Sequence, residues 1–257
     1  MIPSPVIFGY QVDWFQDLQY VAIGFSILVF ICRYNYWKSY KPIYVLAFVS
    51  LIIFLGYVGS RCIEVLEAVL TNSTVLQRFS IMDLLTESGG MRWYGALLFN
   101  FIAFYLIIKL FNKKELLGLN DEIVLAASGG LIIGKIGCGL SGHGCYGVPT
   151  NLLWGMRFSY GSMPSFLPVH PTPLYDAIVY ALLFVLLIWI AKHKKFDGLL
   201  IIYFLIVSCV ASILIEVVRT NEAVVLNLSL AQIVYIFLLI GTIVFYQNKM
   251  NKSTIGN

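Results

Sequence analysis

The residues best suited to chemistry lie in one stretch of an otherwise apolar chain, between Gly134 and Tyr175. Glycines there alternate with polar side chains, namely Lys135, Cys138, His143, Cys145 and Tyr146. An ammonium group beside glycine-rich backbone can bind an anion, because N–H groups that face a concavity add hydrogen bonds to the charge. Lys135 therefore indicates a phosphate site, and an ordinary interfacial lysine is the alternative. The P-loop pattern is not present, so a nucleotide is not implied.

The same stretch offers a base and two thiols. An imidazole at His143 could take a proton from a nucleophile near neutral pH, or it could serve only to position a substrate by hydrogen bonding. Cys138, His143 and Cys145 could ligate a soft metal, and the two cysteines could close a disulfide. A fourth metal ligand is not evident, so small residues packed in a tight turn remain the simpler interpretation. The glycines of this stretch allow the backbone to take positive φ and to approach a ligand closely, at 134, 137, 139, 142, 144 and 147.

Other ionisable residues sit near the ends of predicted helices, where charge is costly and often serves a site. Glu216 and Arg219 are three residues apart and share a helix face. They could pin helices together, or Arg219 could meet a phosphate while Glu216 orients it. Arg61 and Glu64 have the same spacing, and they are weaker candidates for a site. Asp176 follows His170 and Pro171 at a predicted helix start, where capping and the helix dipole would explain it.

A further candidate group occurs in the segment SGGMRWYGAL. Arg92 could contribute to a phosphate site, and the hydroxyl of Tyr94 could point into a helical bundle. Trp93 and Tyr94 could equally form part of an interfacial aromatic belt. The glycines around them favour close helix packing.

The elements that must position these residues are membrane helices. The chain has 257 residues, of which 60% are hydrophobic and 12% charged, whereas soluble domains carry about 25% charged residues. Apolar runs of spanning length predict an all-α integral membrane protein, one transmembrane domain over 1–257 with a glycine-rich site loop at 137–173. The predicted spans are Leu18–Ile31, Ile43–Val58, Tyr94–Leu110, Ile123–Ile136, Leu174–Ala191, Leu199–Val218 and Leu228–Tyr246.

The basic residues sort by alternate loops. Eleven of the 17 Lys and Arg residues follow the first, third, fifth and seventh spans. The positive-inside rule then places the N-terminus outside and the C-terminus in the cytoplasm. The glycine-rich loop and the ionisable candidates fall on the outer side. No cleaved signal peptide is expected, because no basic region precedes the first apolar run.

The quoted residues resemble a known family. GKIGCGLSGHGCYGVPTNLLWGMRF and VHPTPLYDA are similar to the signature region of the bacterial prolipoprotein diacylglyceryl transferases, and SGGMRWYGALL, ILIEVVR and LSLAQ are similar to its other motifs. The resemblance implies transfer of a diacylglyceryl group from phosphatidylglycerol to the lipobox cysteine of a prolipoprotein signal peptide, with release of glycerol phosphate. It implies a multi-pass protein of the bacterial inner or plasma membrane. Membrane lipids are implied as partners, whereas nucleic acid, metal and organic cofactor are not.

The chain departs from the family pattern at several positions. Lys135 replaces an arginine, Cys138 an asparagine, His143 a glutamate, Tyr94 a histidine and Ser212 an arginine, whereas Glu216 and Arg219 match. The resemblance implies catalytic roles for His143 and Tyr94. It implies that the phosphate and lipid are bound by Lys135, Arg219, Glu216, Arg92, Tyr146, Gly147 and Tyr20. The alternatives are a different donor or acceptor on the same fold, or a non-catalytic membrane transporter or receptor.

Overall fold

The computed structural model describes residues 5–7, 10–71, 92–111, 116–142, 144–161, 163–221 and 223–255. Within these ranges, seven helices are long and apolar enough to cross a membrane. They confirm the seven predicted spans and a mostly helical membrane protein. In chain order the helices are α1 Trp14–Cys32, the short α2 Tyr34–Trp37, α3 Pro42–Thr71, α4 Trp93–Phe111, α5 Leu116–Ser141, α6 Thr172–His193, α7 Leu199–Glu216 and α8 Leu230–Ile255.

Three short antiparallel hairpins accompany the helices in the described ranges. They pair β1 Val6–Ile7 with β2 Tyr10–Gln11, β3 Met156–Phe158 with β4 Ser165–Val169, and β5 Ala223–Val225 with β6 Leu228–Ser229. The chain forms two compact units, which we describe separately. Unit 1 contains Met1–Trp37 and Gly118–Thr220, and unit 2 contains Lys38–Leu117 and Asn221–Asn257. The interpretation as one transmembrane domain and the predicted orientation both stay predictions.

In unit 1, glycines allow α5 to lie close to α1. A Cβ at Gly130 would stand 2.1 Å from Ser26 Oγ, and a Cβ at Gly137 would stand 3.0 Å from Leu18 Cβ. Such spacing suits helix packing in lipid, where small residues let backbones approach. The helix continues to Ser141, past the predicted loop start at 137. Gly134, Gly137 and Gly139 are therefore helical, and Gly142 and Gly144 make use of the positive φ that glycine allows, at 63° and 76°.

A buried carboxylate caps α7 from another helix of unit 1. Asp121 is fully buried and accepts hydrogen bonds from the backbone N–H groups of Gly198, Leu200 and Ile201, at 2.8, 3.1 and 3.2 Å. These donors include N–H groups that a helix start leaves unsatisfied. Lys194 lies 3.5 Å from the same carboxylate. Burial alone would lower the pKa of Lys194, but its hydrogen bond to Asp197 and the charge of Asp121 outweigh burial and raise it.

In unit 2, α3 and α4 approach closely through two glycines. A Cβ at Gly59 would lie 2.5 Å from the carbonyl oxygen of Gly95, and a Cβ at Gly95 would lie 2.4 Å from the carbonyl oxygen of Gly59. Helix α3 runs on to Thr71, whereas the sequence predicted an end near Val58. Arg61 is therefore inside the helix and buried, with its guanidinium 2.9 Å from Glu64.

Candidate functional site

One buried carboxylate holds two cations in unit 1. Asp176, in α6, accepts a hydrogen bond of 2.7 Å from Nζ of Lys135 in α5 and one of 2.5 Å from Nη2 of Arg219, which follows α7. Both donors share the same oxygen, Oδ2. We call Lys135, Asp176, Glu216 and Arg219 the ion cluster. The structure thus brings together Lys135, Glu216 and Arg219, three residues that the sequence placed in one site.

The fourth member of the ion cluster is Glu216, at the end of α7. Its Oε2 lies 3.6 Å from Nη1 of Arg219, which is the pairing that the spacing predicted. The exposed fractions of the side chains differ by sign of charge, at 20% for Lys135 and 21% for Arg219 against 7% for Asp176 and 1% for Glu216. The carboxylates hold the cations from the buried side. An anion that approaches from the accessible side therefore meets positive charge first.

The backbone around Gly147 fixes Arg219 in place. Gly147 pairs with Arg219 as an antiparallel bridge, its N–H donates to the carbonyl of His170 at 2.8 Å, and the Val148 N–H donates to the carbonyl of Val218 at 2.8 Å. A Cβ on Gly147 would stand 2.2 Å from the carbonyl oxygen of Val218. Glycine is thus required here for close approach, and its N–H binds His170. Gly147 supports the ion cluster by holding the chain beside Arg219.

Tyr146 is directed toward the β3–β4 hairpin. Its hydroxyl donates to the carbonyl of Met163 at 2.5 Å, and its ring stacks on Phe158 with centroids 4.9 Å apart. The hydroxyl proton is therefore committed to the backbone. This geometry makes Tyr146 an anchor for the hairpin, and a role as hydroxyl donor to a substrate would require this bond to open.

The start of α6 carries a second polar group that sequence reasoning did not assign to the site. The hydroxyl of Tyr175 accepts from Trp154 Nε1 at 2.9 Å and lies 3.2 Å from Nδ1 of His170. Thr172 is fully buried, and its hydroxyl donates to the carbonyl of Cys145. The segment VHPTPLY contains these polar residues. The sequence analysis explained this helix start by capping and the helix dipole alone. These contacts tie the segment after α5 to the helix that carries Asp176.

Unit 2 holds two more of the predicted residues, Arg92 and Tyr94. Tyr94 is buried at the start of α4, and its hydroxyl donates to Oε2 of Glu67 in α3. Arg92 Nε lies 2.8 Å from the same oxygen, and the ring of Tyr235 packs edge-on against Tyr94 at 6.0 Å. The structure thus joins Arg92 and Tyr94 through one carboxylate. Tyr94 is thus buried inside unit 2. The alternative, in which Tyr94 belongs to an interfacial aromatic belt, does not account for this burial.

Glu67 contacts two predicted site residues, Tyr94 and Arg92, and the sequence analysis did not identify it. It follows Arg61 and Glu64 at a spacing of three, and that pattern could have revealed one polar helix face. The apolar pattern predicts a helix that ends near Val58, which places Glu67 in a loop, whereas the helix continues to Thr71. Its burial beside Tyr94 and Arg92 makes it the carboxylate that organises this group.

Among the described residues, Tyr20 stands apart from these groups. Tyr20 lies on α1 with 62% of its surface exposed, and its hydroxyl accepts from Gln16 Nε2 at 3.0 Å. His143 lies outside the described residues, so its role as a base stays a prediction. Within the described part of the chain, no three His, Cys, Asp or Glu side chains gather in a way that could hold a metal ion.

Comparison with known proteins gives a consistent family. A model described as prolipoprotein diacylglyceryl transferase matches residues 6–247. Proteins named phosphatidylglycerol–prolipoprotein diacylglyceryl transferase are similar to this chain. One from Leptospira interrogans is 34% identical over 150 residues, which are 57% of this chain and 47% of that protein. One from Clostridioides difficile is 30% identical over 172 residues, 66% of each chain. One from Clostridium tetani is 31% identical over 174 residues, 66% of this chain and 69% of that protein. The match thus spans about half the length of the Leptospira relative.

Proposed function

The chain belongs to the prolipoprotein diacylglyceryl transferase family, and we propose that it moves a diacylglyceryl group from phosphatidylglycerol to a cysteine thiol of a prolipoprotein signal peptide. The observation that carries this proposal is the ion cluster, in which Lys135 and Arg219 share Asp176 and form its more exposed side. Seven apolar helices make the protein a multi-pass membrane protein. We place it in the inner or plasma membrane of a bacterium, with the ion cluster on the outer side.

The reaction explains why two cations are needed. The thiol sulfur of the acceptor attacks the carbon of the diacylated glycerol that bears the phosphate. A carbon–sulfur bond forms there, and the bond from that carbon to the phosphate oxygen breaks. Glycerol phosphate leaves with added negative charge, and the thiol proton goes to a base. Preorganised cations stabilise charge where it develops in the transition state. Lys135 and Arg219 supply that charge, and Asp176 and Glu216 keep the two side chains oriented.

The acceptor thiol must lose its proton before it becomes a good nucleophile. We propose His143 as the base, on the chemistry of imidazole near neutral pH. Tyr94 is proposed as a hydroxyl donor in the reaction, a role for which its hydrogen bond to Glu67 must open, and Arg92 binds the same Glu67 carboxylate. Phosphatidylglycerol and the signal peptide are both proposed to enter from the membrane between helices.

A second candidate function keeps the fold but changes the donor lipid. Ser212 in α7 stands where the family has an arginine, so one positive charge is lost, and Lys135 lacks the two-pronged geometry of a guanidinium. A donor with a smaller anionic charge would suit this site.

The experiment that tests the proposal compares donors and acceptors directly. The purified protein is incubated in vesicles that contain phosphatidylglycerol, phosphatidylethanolamine or cardiolipin, with a lipobox peptide or its Cys→Ser counterpart. We expect a thioether-linked diacylglyceryl adduct with phosphatidylglycerol and the cysteine peptide, and none with the serine peptide. Adduct formation with phosphatidylethanolamine alone would favour the second candidate, and adduct formation with cardiolipin alone would contradict both. No adduct with any lipid, beside an active relative as control, would contradict both.

A further inference from the structure

An exposed apolar turn precedes the β3–β4 hairpin in unit 1. It contains residues 152–155 and closes with a hydrogen bond of 2.9 Å from the N–H of Gly155 to the carbonyl of Leu152. We call it the apolar turn. Leu152, Leu153 and Trp154 are all exposed, and Leu153 is exposed completely. A group of exposed apolar side chains marks a surface that contacts another protein or lipid.

The segment that carries the apolar turn contains almost no charge. Between Lys135 and Asp176 the sequence has a single Lys, Arg, Asp or Glu residue, Arg157. Soluble domains, by contrast, carry about 25% charged residues. Strand β4 adds two more exposed apolar side chains, Phe166 and Leu167. The composition of this segment therefore favours contact with lipid over immersion in water.

A hydrogen bond fixes the apolar turn at the start of α6. The indole Nε1 of Trp154 donates to the hydroxyl of Tyr175 at 2.9 Å, and Tyr175 lies in the first turn of that helix. Tryptophan favours the membrane–water interface, because its N–H needs a polar partner while the rest of its ring is apolar. Since α6 is long and apolar enough to cross the membrane, the apolar turn lies at the membrane surface where α6 begins.

The apolar turn also continues an exposed apolar row on α6. Side chains three and four residues apart share one face of a helix. The α6 row has this spacing and consists of Ile178, Leu182, Val185 and Trp189, all of them exposed. Tyr175 precedes Ile178 by three residues and lies on the same face. Its hydrogen bond to Trp154 thus joins the α6 row to the apolar turn in one surface, and lipid covers the apolar face of a spanning helix.

We propose that the apolar turn inserts into the boundary between lipid headgroups and acyl chains, in the leaflet where α6 begins. Leu153 enters the acyl region, and the ring of Trp154 lies at the level of the headgroups, as in other interfacial anchors. Asp176 directly follows Tyr175, so the inserted turn holds the ion cluster close to the headgroups. The inference concerns where the chain meets lipid, and it does not depend on the proposed transfer.

The first test is Leu153→p-benzoylphenylalanine, a photoreactive substitution in the full protein in vesicles of phosphatidylcholine and phosphatidylglycerol. Because Leu153 is completely exposed, the change leaves internal packing intact. After illumination and digestion, mass spectrometry should find a phospholipid attached at position 153. The same substitution at Leu182, in the α6 row, should give a comparable yield. At Lys195, an exposed position between α6 and α7, the yield should be much lower.

The same experiment identifies the other possible occupants of this surface. It is run with and without an added lipobox peptide. A cross-link from position 153 to the peptide, or to a second copy of the chain, in place of lipid would overturn the proposal. A lipid yield at position 153 no higher than at Lys195, beside a strong signal at Leu182, would also overturn it.

The second test uses Trp154 as its own probe of depth. The emission that Trp154→Phe removes from the wild-type spectrum is the contribution of Trp154. We expect acyl-brominated lipids in the vesicles to quench this contribution and aqueous iodide to leave it. Trp189→Phe gives the matched contribution from the α6 row, which should respond in the same way. Quenching of Trp154 by iodide and not by brominated lipid would place the apolar turn in water and contradict its insertion.

Discussion

The guanidinium of Arg219 donates a hydrogen bond of 2.5 Å to the carboxylate of Asp176, although 43 residues separate them. Lys135 donates to the same oxygen from 41 residues on the other side. This shared oxygen explains how two like charges can lie close together at the end of a membrane helix. It also makes Asp176, which the sequence explained by helix capping, the centre of the proposed site.

Asp176→Asn should impair both the reaction and the fold. The neutral amide cannot balance Lys135 and Arg219, and loss of one partner from a buried ion pair costs about 3 kcal/mol or more. We expect transfer to fall by roughly a hundredfold, because a lost preorganised charge interaction costs a few kcal/mol. Initial rates and thermal unfolding in the same detergent check this. Asp197→Asn removes an exposed carboxylate and should leave the rate unchanged. Wild-type transfer by Asp176→Asn would contradict the proposed role.

Arg219→Lys keeps the positive charge and removes the planar guanidinium, which binds carboxylate and phosphate with two prongs. We expect KM for phosphatidylglycerol to rise roughly tenfold, the cost of about one hydrogen bond to a charged group. Titration of the vesicles with phosphatidylglycerol at fixed peptide measures it. The matched control is Arg157→Lys, on the exposed strand β3. An unchanged KM in Arg219→Lys would argue that Arg219 only pins helices.

Tyr94→Phe and Glu67→Gln should act through one hydrogen bond. Each variant should lower kcat about a hundredfold, at the lower limit for loss of a proton-transfer group. The double variant should be little worse than the single variants, because residues of one network are not additive. Tyr105→Phe, on the exposed side of the same helix, should behave as the wild type. Fully additive losses would show that Glu67 does not work through Tyr94.

Gly147→Ala should displace the chain beside Arg219. The added Cβ would stand 2.2 Å from the carbonyl oxygen of Val218, and such overpacking costs about 1–3 kcal/mol. We expect lower stability and lower transfer together. Gly24→Ala on α1 is the control, because a Cβ there would meet nothing within 4 Å. Helix propensity predicts a gain of roughly 0.5–1 kcal/mol for that change. Equal behaviour of the two variants in unfolding and in activity would refute the contact.

The sequence predicts the membrane helices well and the contacts between them poorly. Apolar runs define a span because lipid requires every backbone group to be satisfied within a helix, so all seven helices were identified. The predicted end of helix α3 is too early, because an arginine at position 61 suggests that the chain leaves the membrane before it, whereas Arg61 is buried inside the helix. The partners of Asp176 and Tyr94 lie on other segments of the chain, and the periodicity of one helix does not indicate which residues of another segment lie near it. His143 belongs to the part of the site that stays a prediction from sequence.

The central claim is that the cations of the ion cluster bind the phosphate of the donor lipid. The most direct measurement is the mass of a lipobox peptide after incubation with phosphatidylglycerol vesicles and the wild type, Lys135→Ala or Arg219→Ala. The account predicts a diacylglyceryl adduct with the wild type and its loss in both variants, each shown to be folded by thermal unfolding. Adduct formation at the wild-type rate by folded Lys135→Ala and Arg219→Ala would contradict it.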